Sequence, residues 1–135
     1  MTLIHSYQHI AHRSLTASDA LLNNSIQEKA TFMTYHAFES TGCALSLSCN
    51  LPVGSGVKHG VKIKHFKKAA RRLGNGKVVD TLAIELRSLR NDLLYPKIDS
   101  KKQTITMPEN VINLTDAKTL KKRVQGIVNW VDTKI

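Results

Sequence analysis

Acidic residues are scarce in this chain: ten Asp and Glu face twenty Lys and Arg, and none lies between Glu39 and Asp80. The resulting formal charge of +10 favours polyanionic partners, RNA or DNA before an anionic membrane. Aromatics make up only 5%, so the expected core is aliphatic. Alternating Val-, Ile- and Thr-rich runs are nearly absent, with TITM (104–107) the one plausible short strand. That excludes a fold built on a sheet. Cys43 and Cys49 have no framework of other thiols around them. Six apart on one expected helix, they are badly placed to bond to each other and read as buried reduced cysteines. No apolar run reaches the length of a membrane span, and residues 1–11 are too polar for a signal peptide. These absences predict a soluble, cytoplasmic protein with no membrane partner.

What is present is helical periodicity. With 135 residues, 41% of them apolar, the chain predicts one all-α domain over residues 1–135. A first helix is expected over 3–22. On it His5, His9 and His12 share a face, but no acid or thiol lies among them to complete a metal site. A second helix is expected from about Ile26 to Ser48, capped by Asn24 or Ser25, with Ser25 and Glu28 spaced as a capping box. Gly42 within it predicts the close approach of a neighbouring helix, Tyr35 and Phe38 read as core, and His36 as packed. Asn50–Gly60 is the clearest loop. A short third helix follows, ending at Gly74 as its C′ residue.

The stretch from Lys77 to Pro96 carries the sharpest stripe: Val79, Leu82, Ala83, Leu86, Leu89 and Leu93. Its polar end holds Arg90 and Asn91, and Pro96 is expected to stop the helix at Tyr95. Residues 97–106 read as polar and exposed. A last helix is expected from Asn113 or Thr115, with Ala117, Leu120, Val124, Ile127, Val128 and Val131 inward and Trp130 sealing an end.

Eight cations gather in the acid-free stretch: Lys58, Lys62, Lys64, Lys67, Lys68, Arg71, Arg72 and Lys77. Of these, Lys62, Lys64, Lys67, Lys68, Arg71 and Arg72, with Lys97 further on, are candidate nucleic-acid contacts. Arg90 is the candidate phosphate ligand, because a guanidinium is charged at any cellular pH and offers a fork of donors.

An up-and-down bundle of four long helices plus a short basic one, with Arg90–Asn91 near the end of the penultimate long helix, resembles a HEPN domain. TYHAFESTGCALSL (34–47) and LRSLRNDLLYP (86–96) carry the likeness. It implies an RNA- or nucleotide-binding protein, often a homodimer, and a weak or degenerate metal-independent ribonuclease of toxin or defence type. No cofactor or metal is implied. In the family's pattern of Arg, polar neighbour and later His, Arg90 and Asn91 match, and Tyr95 stands where His is expected. Arg90, Asn91 and Tyr95 are therefore the candidate catalytic set, although a phenol ordinarily titrates near pH 10 and is a poor base at neutrality. The alternative implied is a non-catalytic adaptor that pairs with a nucleotidyltransferase or an antitoxin.

Overall fold

The computed structural model describes residues 1–135, as five α-helices, one hairpin and a short 3₁₀ turn. The helices are α1 (Leu3–Asn23), α2 (Gln27–Ser48), α3 (His59–Arg72), α4 (Gly76–Leu89) and α5 (Leu114–Asp132). Three are long, at 19 to 22 residues, and two have 14. The bundle is thus helical as expected, with lengths that differ from four long helices and one short.

The chain is arranged around α2. It packs on α1, α3 and α5, and every residue from Ala37 to Ser46 is buried. A helix enclosed on all sides keeps no one-sided apolar stripe. It fills instead with small residues, and Gly42 shows why. A Cβ there would lie 2.6 Å from Phe66 Cγ on α3, so the two helices meet at a contact only glycine permits. Phe66 in turn packs on Phe38, ring centroids 4.9 Å apart.

The turns depart from expectation for a definable reason. Ser25 does not cap α2, whose N-cap position is Ile26, with no side-chain cap bond. It is instead the left-handed residue that ends α1, at φ 57°. Ser25 N–H bonds Leu22 O and Ile26 N–H bonds Leu21 O, which is the Schellman pattern. Asn50 (φ 60°) ends α2 and Gly74 (φ 82°) ends α3 by the same device. Only Gly74 advertises it in the sequence. At α5, Asn113 is the cap, accepting from Asp116 N–H at 2.7 Å.

Regular helix stops at Leu89, and Arg90 is the C-cap. The chain then runs through turns that still deliver Leu93 to the core, so the apolar stripe outlasts the helix that was inferred from it. His36, expected to be packed, is exposed. The TITM strand forms: β1 (Lys97–Asp99) pairs antiparallel with β2 (Thr104–Thr106). The α5 stripe is buried as read, and Trp130 packs against the core. His5, His9 and His12 are exposed on α1, with His12 Nε2 2.7 Å from Asp132 on α5. No helix is long and apolar enough to cross a membrane.

Candidate phosphate-binding site

Three helices converge on a cavity of about 230 Å³ lined by Tyr35 and Phe38 of α2, His59, Gly60 and Ile63 of α3, and Ala83, Arg87, Arg90 and Asn91 from α4 and its end. Each contribution follows from local structure. Tyr35 and Glu39 stand four apart on α2 and so share a face. His59 is the first residue of α3, which begins without a side-chain cap. Arg87 and Arg90 sit in and just after the last turn of α4, where a helix terminus favours cations.

A chain of hydrogen bonds crosses the site. Arg90 Nη2 lies 3.2 Å from His59 Nε2, and His59 Nδ1 lies 2.7 Å from Glu39 Oε2. Arginine can only donate, so Nε2 must be the accepting nitrogen and the ring proton sits on Nδ1, donated to the carboxylate. Tyr35 Oη donates to the same Oε2 at 2.7 Å, and Lys62 Nζ stands 3.8 Å from Oε1. The Glu39 side chain is only 7% exposed, while that of His59 is 54% exposed. The carboxylate is therefore a buried anchor that orients an imidazole whose far edge is open.

Arg90 is held without being neutralised. Its guanidinium lies over the Tyr35 ring, 5.7 Å from the centroid. Its Nε is buried with no partner in the protein. Neither Arg90 nor Arg87 joins any of the six ion pairs. A buried N–H left unpaired costs about 1–3 kcal/mol, and two unneutralised guanidiniums in one cavity favour an incoming anion.

Burial pushes the Tyr35 phenol well above the usual 10.0, reinforced by its hydrogen bond to Glu39 and by that charge, against a smaller opposing pull from Arg90 and Arg87. Cys43, two turns beyond Tyr35 on α2, is raised from 9.0 to about 11, by burial first, with Lys62 lowering and Glu39 raising it. Folding thus favours the neutral thiol. That contribution to stability is complete below pH 9 and is lost as pH climbs through about 11. Native protein treated with a thiol reagent at pH 8 should modify Cys49 while Cys43 stays unreacted until denaturant is added. Equal labelling of both in the native state would contradict this.

Of the residues singled out by sequence, Arg90 and Asn91 line the cavity. Tyr95 is 65% exposed and does not. Lys62 is drawn to Glu39, and Lys97 pairs with Asp92 at 3.5 Å. Lys64, Lys68, Arg71 and Arg72, with His65, line a separate open groove of about 610 Å³ on α3, and none of the four cations has an ion-pair partner. Sequence reasoning missed His59, Glu39 and Arg87. The available signal was Glu39, the last acid before the cationic stretch and four residues from Tyr35. His59, in a glycine-rich loop, offered none. The chain matches no protein-family model, no curated protein and no solved structure.

Proposed function

We propose that this chain is a HEPN-like RNA-binding bundle that cleaves RNA without a metal, with Arg90 holding the scissile phosphate and His59 moving the proton. The observation that carries this reading is the Arg90–His59–Glu39 chain. The histidine that the resemblance leads one to seek at Tyr95 is supplied from α3 instead.

A phosphodiester entering the cavity meets Arg90, Arg87 and the Asn91 amide. As Arg90 turns its donors to the phosphate, it releases His59 Nε2, whose lone pair is then free to accept the RNA 2′-OH proton. The 2′-oxygen forms a bond to phosphorus and the bond to the 5′-oxygen breaks. The departing oxygen takes a proton from water, and the imidazolium returns its proton to solvent. Net, the strand ends in a 2′,3′-cyclic phosphate and a 5′-hydroxyl, with no co-reactant consumed. Glu39 holds the productive tautomer and stabilises the transient imidazolium, while the arginines stabilise charge on the phosphorane.

Single-stranded RNA incubated with the protein in EDTA tests this. Wild type should leave cyclic-phosphate ends and spare an all-deoxy strand. His59→Asn should slow cleavage by about 10²–10⁴-fold, the usual contribution of a positioned acid–base group, and Tyr95→Phe should change it little. Cleavage by His59→Asn at the parental rate would remove the histidine from the mechanism. A wild type that leaves RNA intact would overturn the enzymatic part of the reading.

The adaptor alternative has one observation in its favour. Ile98 and Ile105 face each other across the hairpin and are 72% and 66% exposed, an apolar pair of the kind a protein partner covers.

A further inference from the structure

We infer that single-stranded RNA leaves the phosphate cavity along α3, its backbone held by a strip of cations that starts at the cavity wall. This rests on the reading of the cavity as a phosphate seat. Gly60 lines that cavity, and Lys64, Lys67 and Arg71 follow it on α3 at i+4, i+7 and i+11. Those intervals keep all four positions on one side of a helix. The strip is about 16 Å long at 1.5 Å per residue, room for about four or five nucleotides at the ~3.4 Å per nucleotide of a stacked strand.

Two features make this strip more than a solvated face. Its cations are without carboxylate partners, because the one acid nearby, Glu39, is engaged with Lys62, His59 and Tyr35. It also borders the groove that Lys64, His65, Lys68, Arg71 and Arg72 line without a single apolar residue. Phe66, the one Phe, Tyr or Trp of α3, is fully buried, and the neighbouring His65 ring is tied through Nδ1 to Pro52 O, so the strip itself presents no Phe, Tyr or Trp ring for a base to stack on. Recognition there is by phosphate alone, and it carries no base sequence. The cavity admits one phosphodiester of a strand that bends into it, which selects single strands over a stiff duplex.

The experiment uses the full chain and a 2′-O-methyl strand of nine nucleotides, which cannot be cleaved, titrated at several salt concentrations. Wild type and the triple variant Lys64→Gln, Lys67→Gln, Arg71→Gln are compared, with circular dichroism to verify folding. Removing three phosphate contacts should flatten the slope of log K against log salt by about 2, at ~0.7 per contact on a single strand. Poly-U and poly-A nonamers should respond alike. Binding of a dinucleotide monophosphate, which reaches only the cavity, should be unchanged in the triple variant. An unaltered slope, or an equal loss for nonamer and dinucleotide, overturns the path. Dinucleotide binding that ignores Arg90→Ala would instead count against the seat and leave the path to be judged by the slope.

Discussion

Truncating Phe66 to alanine should destabilise the fold by about 3–5 kcal/mol, the range for a fully buried phenylalanine. Phe66 has no exposed surface, fills the space left by the missing Gly42 side chain and packs at a tilt against Phe38. Its partner glycine gives the experiment its control. Gly→Ala in a helix interior ordinarily gains about 1 kcal/mol, but a methyl at position 42 would lie 2.6 Å from Phe66 Cγ and 3.0 Å from its Cβ. Overpacking of this kind costs about 1–3 kcal/mol, so Gly42→Ala should destabilise. With Phe66→Ala already present, the ring is gone and only the Cβ contact at 3.0 Å remains, so the same methyl should cost much less. Urea unfolding of the two single variants and the double variant reads the coupling. Strictly additive losses would mean that the α2–α3 approach does not depend on this contact.

Glu39→Ala should cost about 3 kcal/mol or more, because it strands buried polar partners. Tyr35 loses its acceptor, and Lys62, whose side chain is only 17% exposed, loses its counter-charge. Glu39→Gln separates stability from chemistry. The amide oxygen still accepts from Tyr35 and from His59 Nδ1, so the variant should fold with a smaller loss. It no longer carries the charge that stabilises a protonated imidazole. RNA cleavage should therefore fall in Glu39→Gln while affinity for an uncleavable strand stays close to wild type. Wild-type cleavage in Glu39→Gln would reduce the carboxylate to a packing role.

How much of this was legible follows from where the signals lie. The stripes of α4 and α5 are one-sided, and their buried residues were readable from spacing alone. α2 was located within a residue but its centrality was hidden, since a helix buried on all sides loses the periodicity that marks orientation. The capping of α2 was misread at Ser25 because a serine after a helix fits two roles, and the Schellman closure of α1 won. Arg90 and Asn91 were found because a cation and an amide interrupt an apolar stripe. His59 was not, because its role depends on α3 meeting α2 and α4, and no local pattern encodes that meeting. Tyr95 was tied to the site by the family pattern, in which it stands where His is expected, on a helix expected to stop at Tyr95. The helix ends at Leu89, and the phenol points elsewhere than the cavity wall.

The phosphate seat centres on the Arg90 guanidinium, which has one protein acceptor, His59, and no carboxylate. The direct measurement is the affinity of wild type, Arg90→Lys and Arg90→Ala for one uncleavable single-stranded RNA at fixed salt. A forked, charge-assisted contact is worth about 1.5–3 kcal/mol. Arg90→Ala should therefore bind on the order of 10- to 100-fold more weakly, with Arg90→Lys recovering only part of the loss, since an ammonium restores charge without the fork. Three equal dissociation constants would contradict a phosphate seat at Arg90.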